Sequence, residues 1–530
     1  MKKSFIACFI ACTGLALASA EAVMAQTVNV AWGPTLKEQR KTATTKIIGN
    51  DDKGFYTLRS DYSDASIFNR NAQNVILERY DNQNKLVFSR DIILPTPANT
   101  KGKFQFEDIY YLDGQLVLFS SYLNKETGRN TAFANKVSSE GVVENKMVEV
   151  STIEDATKKN AGNFDFVLSN DSSKILVFNN LPYEKNEIEK FKIRVIDQNL
   201  ETVCNKTLTL KQLDKDAAIT NFKVDNEGNV YVLISTNKNR EERSNKEQKY
   251  TYRVLGYFFK EDLTKEYEIK IPNKFVTDIT FNIDKNKNLI VAGFYAEDKK
   301  LKTEGSFFLK VDFDSKKVLT QGIKKFGPEF MEMFMSKSKA KKDDAGVAFM
   351  NLDKLIVRED GGALLIAEQA RAYVVTTYNS RGGSSTTYHY VNNDIVFVNV
   401  NPDGSIQWIS RVPKKQHTVN DAGAYSSYSV SIVKDKIYLI YNDHVKNIGE
   451  NDPKRFKIMT NPGKAVTMLA TVDNSGKYTR TALFPAKEQK AIVRPSFYLQ
   501  GDKNVIIYSE TGRDYRFGNI RFGENTQGLL

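Results

Sequence analysis

The sequence predicts an all-β fold made of one repeated four-stranded unit, and the first observation behind this is a set of eight short apolar runs. Each run is rich in β-branched and aromatic residues, as strands buried on both faces are. Each follows a tract of Asp, Asn, Gly or Lys that is typical of a tight hairpin turn. The runs occupy residues 55–58, 116–119, 175–178, 230–234, 289–292, 363–367, 437–441 and 505–508.

The second observation is the regular spacing of the turns. The turn tracts end at residues 54, 114, 174, 228, 287, 362, 436 and 503, so successive turns are 60, 60, 54, 59, 75, 74 and 67 residues apart. A second turn follows in each of the first seven units, at residues 80–85, 138–141, 197–200, 261–264, 312–315, 401–404 and 473–476. Each unit is therefore predicted to hold four antiparallel strands, A to D. Such a repeat predicts a single β-propeller of eight blades, with seven blades as the alternative.

The two ends of the chain favour closure of the ring. The eighth unit supplies strands at residues 495–499, 505–508 and 515–522 but no fourth strand. Residues 28–32 resemble a strand D, because Trp32 has the place that Trp408 has in the sixth unit. We expect this N-terminal strand to complete the last blade, which would remove an exposed sheet edge. Residues 26–530 are thus predicted to form one propeller domain, with a helical insertion at about residues 327–346.

The first 25 residues have the pattern of a secretory signal peptide. Lys2 and Lys3 precede an apolar run at residues 5–20, which is short for a membrane-spanning helix, and small residues follow it. Cleavage after Ala25 and export to the periplasm or cell surface are expected, with lipidation at Cys12 as the alternative. No other run approaches transmembrane length. Cys204 would be the one cysteine of the exported protein, so an internal disulfide is excluded.

The long B–C and D–A connections share one face of a propeller, and this face is the predicted binding surface. Long loops on a rigid scaffold usually carry binding, and here they span residues 60–74, 236–250, 370–393 and 442–467, with 327–346 as the longest D–A connection. Tyrosines among small polar residues suit contact with a ligand. The candidates in 370–393 are Tyr373, Tyr378, Tyr388 and Tyr390. The alternative is a long twisted hairpin whose tyrosines cover the ring.

Two further groups of binding candidates lie in the same set of connections. Lys238, Arg240 and Arg243 form a basic cluster, for which a solvated surface is the alternative because acidic residues dilute it. Phe330 and Phe334 would share the apolar face of a short helix. The alternative for these two residues is that the helix packs on its own domain.

The three histidines are weak candidates for a metal site. His389, His417 and His444 all fall in the connections of units six and seven, and imidazole suits Zn²⁺. No two of them have a ligand spacing such as His-x₃-His. Solvated histidines are therefore favoured, and no metal or other cofactor is predicted.

Charge and motifs narrow the classes of function. The chain has 76 Lys+Arg against 64 Asp+Glu, a formal charge of +12, which could attract an acidic protein, a polysaccharide or anionic lipid. Export disfavours nucleic acid as a partner. The Gly-x-Ser-x-Gly elbow and the glycine-rich phosphate-binding loops are absent, and no carboxylate spacing indicates a glycosidase pair. An enzyme is disfavoured, although a propeller can assemble a catalytic site from distant blades.

The whole chain resembles a known group of proteins in pattern. The Met-Ala-Gln junction at residues 24–26, the eight long units punctuated by Asp, Asn and Gly, and the Lys-rich surface are similar to those of exported, WD40-like or eight-bladed β-propeller proteins of Bacteroidota. This resemblance implies a periplasmic or surface role in binding or assembly and supplies no motif from which functional residues can be transferred. The predicted function is a non-catalytic scaffold that binds an envelope protein or a glycan. A propeller hydrolase or lyase acting on polysaccharide is the alternative.

Overall fold

The computed structural model describes residues 29–38, 42–61, 74–97, 100, 102–237, 250–378, 380 and 382–522. These residues form eight antiparallel sheets, each with four strands side by side; in seven of them the four strands are consecutive in the chain. The predicted all-β class is confirmed. The signal segment and three of the binding candidates, Lys238, Arg240 and Arg243, lie outside the described residues.

The strands are numbered along the chain, and the first two are β1 (Val30–Trp32) and β2 (Leu36–Lys37). Sheet 1 contains β3 (Thr42–Asp51), β4 (Gly54–Asp61), β5 (Val75–Asp81) and β6 (Leu86–Asp91). Sheet 2 contains β7 (Gln105–Leu112), β8 (Gln115–Asn124), β9 (Arg129–Val137) and β10 (Val143–Ile153). Sheet 3 contains β11 (Asn163–Leu168), β12 (Lys174–Asn180), β13 (Ile188–Asp197) and β14 (Thr202–Leu213). Sheet 4 contains β15 (Ala217–Val224), β16 (Val230–Asn237), β17 (Tyr250–Phe258) and β18 (Leu263–Ile269).

Two short helices separate sheet 5 from sheet 6. Sheet 5 contains β19 (Phe275–Ile283), β20 (Leu289–Ala296), β21 (Gly305–Val311) and β22 (Val318–Lys325), and it is followed by α1 (Pro328–Glu332) and α2 (Lys337–Ala340). Sheet 6 contains β23 (Met350–Val357), β24 (Ala363–Tyr378), β25 (Ser384–Val400) and β26 (Ile406–Val412), with the extra strand β27 (Gln416–Val419) beside β25. Both helices lie within residues 327–346, the range for which a helical insertion is predicted.

Sheets 7 and 8 complete the chain. Sheet 7 contains β28 (Ser429–Val433), β29 (Lys436–His444), β30 (Ala465–Val472) and β31 (Tyr478–Pro485), followed by α3 (Ala486–Gln489). Sheet 8 contains β32 (Ile492–Gln500), β33 (Asn504–Thr511) and β34 (Asp514–Arg521) together with β1 and β2. Short 3₁₀ helices lie at Asp214–Asp216, Val445–Asn447, Pro453–Arg455 and Pro462–Lys464.

The second strand of each sheet contains one of the eight apolar runs, and the packing explains its composition. Successive side chains of a strand point to opposite faces of the sheet. In β24, Leu365 packs toward sheet 5, whereas Leu364 and Ile366 pack toward sheet 7. Because both faces are covered there, the run is apolar at consecutive positions rather than at alternate ones.

The N-terminal strand pairs with the last strand of the chain, as predicted. Val30 lies opposite Ile520 and Trp32 lies opposite Gly518, which makes β1 the fourth strand of sheet 8. The Trp32 ring packs edge-on against Phe484 of sheet 7, with ring centroids 5.2 Å apart. This pairing covers the outer edge of β34.

Eight apolar clusters join neighbouring sheets. Seven of them join sheets that are consecutive in the chain. The eighth joins the last sheet to the first, where Phe517 lies edge-on to Phe55 at 5.0 Å and to Tyr80 at 4.6 Å. Each sheet therefore packs between two others, including the sheets at the two ends of the chain.

The connections differ in length as predicted. First and second strands are joined by two to five residues, and third and fourth strands in sheets 1–7 by four to six. The longest of the other connections are residues 326–349 between β22 and β23 and residues 445–464 between β29 and β30. Residues 370–393, predicted as a loop or a long hairpin, are a hairpin in which β24 and β25 extend beyond their sheet. Among the described residues, no helix is both long and apolar enough to cross a bilayer.

Candidate functional site

A cavity of about 840 Å³ opens where four connections of sheets 5, 6 and 7 meet. Its walls are residues 332–336 after α1, the base of the β24–β25 hairpin, the segment from β26 to β27, and residues 452–458. These segments belong to the long-connection side that the sequence predicts as the binding surface. Two of the predicted candidates, Phe334 and Tyr373, line this cavity, and so does His417.

The register of the β24–β25 hairpin separates the four candidate tyrosines. Tyr373 lies opposite His389, whereas Tyr388 lies opposite Val374 and Tyr390 opposite Ala372. Since side chains alternate along a strand, Tyr373 faces the cavity, while Tyr378, Tyr388 and Tyr390 are on the other face of the hairpin. Tyr378 is 79% exposed and Tyr388 is 51% exposed, so these two side chains do not pack against the sheets.

His389 and His417 are brought together although they are 28 residues apart in sequence. Nδ1 of His389 lies 2.9 Å from Nε2 of His417, because β27 pairs with β25 next to the hairpin. The Tyr373 ring stacks on His389 with centroids 4.7 Å apart and planes 3° from parallel. Burial, then the charges of His389 and Arg371, lower the pKa of His417 below its usual value.

The third histidine is elsewhere, and no metal cluster is formed. His444 ends β29, and its Nδ1 accepts a hydrogen bond from the backbone N–H of Lys446 at 3.1 Å. Within the described part of the chain, no group of three His, Cys, Asp or Glu side chains is arranged to hold a metal ion. Two adjacent imidazoles are therefore the extent of the histidine cluster.

A buried ion pair supports the base of the cavity. Lys414 Nζ donates to Glu368 Oε1 at 2.5 Å, to the Asn392 carbonyl oxygen at 3.0 Å and to Gln416 Oε1 at 3.0 Å. Asn392 Nδ2 donates to the other Glu368 oxygen at 2.7 Å. Because these residues belong to β24, β25 and the segment that enters β27, the network holds three walls of the cavity at a fixed separation.

A second ion pair fixes the segment after α1. Arg411 pairs with Asp394 at 3.2 Å, donates to the carbonyl oxygen of Met333 and lies 5.2 Å above the Phe334 ring. Phe330 is 4% exposed, and its ring centroid lies 4.4 Å from that of Phe326 and 5.1 Å from that of Phe334. The helix therefore packs on its own domain. Of the two phenylalanine candidates, Phe330 is buried and Phe334 lines the cavity.

The charged residues that shape this cavity were not singled out from the sequence. Arg371, Lys414, Lys415 and Lys454 line it, together with Arg411. Among its described lining residues, three carboxylates occur, at positions 332, 394 and 452. Asp394 is paired with Arg411, and Asp452 caps a 3₁₀ helix through the Lys454 N–H. The one sequence signal for these residues is that Arg371 and Tyr373 are two positions apart on a predicted strand and so share a face. This signal indicates a binding site only when the strand is known to border a cavity.

Comparisons with known proteins assign no family. No family model matches the chain, and no curated protein matches it. A substrate-bound structure of prolyl oligopeptidase B from Galerina marginata is 11% identical with a TM-score of 0.29, and the match covers 65% of this chain but 38% of that one. The β-propeller domain of the trilobed protease from Pyrococcus furiosus is 8% identical with a TM-score of 0.34, covering 85% and 98%. A protein from Lactobacillus plantarum is 10% identical with a TM-score of 0.30, covering 83% and 85%. Similarity at this level assigns no activity.

Proposed function

We propose that this protein is an exported, non-catalytic β-propeller whose eight blades close into a ring. In this proposal it binds a glycan or a protein of the cell envelope in the cavity between sheets 5, 6 and 7. Three observations support the ring: eight four-stranded sheets, packing of the last sheet on the first, and the N-terminal strand within sheet 8. A ring of this kind presents its connections from a rigid base. The signal-peptide pattern supports export.

The observation that carries the binding function is the convergence of four connections on one concave site. A volume of about 840 Å³ falls within the range of about 300–1,000 Å³ that is usual for small-ligand sites. Protein interfaces are generally broader and flatter surfaces of about 800 Å² per partner. A few units of a glycan therefore fit the cavity better than the surface of a folded protein. An envelope protein is the competing ligand.

The partners of the carboxylates that line the cavity favour binding over hydrolysis. A glycosidase needs two carboxyl groups that face the same bond, one as acid and one as nucleophile or base. Two of the three carboxylates lining the described cavity have structural partners, Arg411 for Asp394 and the Lys454 N–H for Asp452. The partners of Asp394 and Asp452 give these two carboxylates structural roles, which supports binding rather than hydrolysis.

The test is a glycan array probed with the exported form of the protein and two variants. Tyr373→Ala removes a ring that faces the cavity, and Tyr388→Ala removes a ring of the same hairpin that faces away. We expect binding to selected glycans that Tyr373→Ala weakens and Tyr388→Ala leaves unchanged. Equal binding by both variants would place the site elsewhere. Release of shortened oligosaccharides from a bound glycan would show the protein to be an enzyme.

A further inference from the structure

Arg371 is the residue of this cavity whose surroundings are hardest to explain by folding alone. Its guanidinium carbon lies 5.0 Å above the centroid of the Phe349 ring and 4.9 Å above that of the Tyr373 ring. Tyr373 lies on β24, on the same face as Arg371, while Phe349 belongs to the connection that holds α1 and α2 and directly precedes β23. The guanidinium is thus held by two aromatic rings from separate segments.

Within the described residues, no carboxylate pairs with Arg371. Arg411 is paired with Asp394 and Lys414 with Glu368, whereas no acidic side chain of the described residues lies within ion-pair distance of Arg371. The Arg371 side chain is also exposed. A guanidinium whose faces rest on aromatic rings still offers its N–H edge, and this edge matches the two oxygens of an oxyanion.

Phe349 is held against Arg371 at a cost to the backbone. Its φ is 61°, in the left-handed region that bulky residues avoid, and its side chain is 52% exposed. The Phe349 carbonyl oxygen accepts a hydrogen bond from Ala370 N–H at 2.9 Å, and the preceding carbonyl accepts one from Gln369 Nε2 at 3.1 Å. A strained backbone that places a half-exposed ring over a cation is a pattern of functional sites, because core packing does not require it.

The neighbouring charges act in the same direction. Lys415 and Lys454 line the same cavity as Arg371, and His417 contacts His389 and lies within electrostatic reach of Arg371. An oxyanion at Arg371 would offset the repulsion that disfavours a protonated His417, so binding would take up a proton. His417 is next to Tyr373 on β24 and His389 on β25 and is within electrostatic reach of Arg371 on β24. The other charged groups that line the cavity with it are Glu332 in α1, Asp394 on β25, Arg411 on β26, Lys414 and Lys415 before β27, and Asp452 and Lys454 on the connection before β30.

We propose that Arg371, held by Phe349 and Tyr373, is the residue that recognises an oxyanion, and that the ligand of this cavity is an acidic polysaccharide carrying carboxylate or sulfate groups. This assignment rests on the proposed binding function and specifies its ligand. Each acidic sugar unit supplies an oxyanion for the Arg371 edge and hydroxyl groups for the polar wall of the cavity. A neutral glycan leaves the guanidinium without a partner and binds more weakly.

The experiment measures binding of polygalacturonate, dextran sulfate, neutral dextran and inorganic phosphate by calorimetry at constant ionic strength. The variants are Arg371→Gln, Arg371→Lys and Phe349→Gly, and the control is Lys477→Gln, which removes one positive charge from an exposed turn between β30 and β31. Charge-assisted hydrogen bonds of this kind contribute about 10- to 100-fold in affinity. We expect Arg371→Gln to lose this factor, Arg371→Lys to lose at least part of it and Lys477→Gln to change binding less than twofold. Affinity for the acidic glycan is expected to rise from pH 7.5 to pH 5.5.

The arms separate the possible failures. Equal affinity for acidic and neutral glycans, with loss on Tyr373→Ala, would overturn the oxyanion assignment and leave the proposed binding function intact. No binding to any glycan, with no effect of Tyr373→Ala on capture of an envelope protein, would overturn both. Arg371-dependent binding of phosphate but of neither polysaccharide would replace the acidic glycan by a phosphate-bearing ligand. Equal losses for Arg371→Gln and Lys477→Gln would reduce the effect to general charge attraction.

Discussion

The buried Lys414–Glu368 ion pair predicts how much a single substitution should lower the free energy of unfolding of the protein. The two charged groups are 2.5 Å apart, and their side chains are 0% and 4% exposed. Lys414→Met keeps a long unbranched side chain but leaves the Glu368 carboxylate buried without its counter-charge. Removing one partner of a buried pair costs about 3–5 kcal/mol. We expect this variant to lose that amount from its free energy of unfolding.

Urea unfolding followed by the fluorescence of Trp32 and Trp408 measures the loss, from the shift in midpoint and the slope. Lys415→Met is the matched control, since Lys415 Nζ reaches the Phe456 carbonyl oxygen at 3.5 Å and its loss is expected to cost under about 1 kcal/mol.

A double variant isolates the charge interaction from the loss of packing. Glu368→Gln with Lys414→Met removes both charges while an amide oxygen can still accept from Asn392, so it is expected to recover about half of the single-variant loss or more. The reasoning is refuted if Lys414→Met costs no more than Lys415→Met. It is also refuted if the double variant is no more stable than the single one.

Four further predictions follow from single residues. Phe349→Gly should be more stable than Phe349→Ala by about 0.5–1 kcal/mol in urea unfolding, the reverse of the usual order, because only glycine is unstrained at this φ of 61°. Burial and the charge of Asp262 raise the pKa of the Cys204 thiol to about 11, so a thiol reagent at pH 8 should modify it only after denaturation. Trp32→Ala should lower the free energy of unfolding by about 2–3 kcal/mol, because it removes the ring that packs on Phe484. The pKa of His417 is lower in the folded chain than in the unfolded one, so the unfolded chain binds a proton more readily just below pH 6.5. The free energy of unfolding should therefore decrease as the pH falls through that value. The decrease between pH 7.5 and pH 5.5 should be smaller for His417→Gln than for the unchanged protein.

The sheets could be predicted because their signals are local. A strand such as β24, covered on both faces, must be apolar at consecutive positions, and a two-residue turn such as the one before Gln115 needs residues that tolerate positive φ, here Asp113 at 44° and Gly114 at 84°. Trp32 predicted the partner of the last strand because it repeats the place of Trp408 in β26. Each of these constraints involves residues close in sequence or repeated at the unit spacing.

The cavity could be predicted only in outline. The sequence located the connections that surround it and included Tyr373, Phe334 and His417 among the candidates. Which tyrosine faces inward depends on the register of Tyr373 with His389, and a shift by one residue would exchange the two faces of the hairpin. The prediction of solvated histidines did not include the contact of His389 with His417, which arises because β25 pairs with β27.

By itself, then, the sequence determined the all-β class, the repeat, the strand order and the pairing of the N-terminal strand. The reason is that hydrophobic periodicity and turn conformation depend on residues that are neighbours in the chain. The tertiary structure decided which side chains share the cavity. It pairs Lys414 with Glu368 below the cavity, buries Phe330 in the core, and holds Arg371 between segments that contain Phe349 and Tyr373, with no carboxylate of the described residues within ion-pair distance. The physical reason is that burial, ion pairing and backbone strain depend on segments distant in the chain, and these meet only when the sheets have packed against one another.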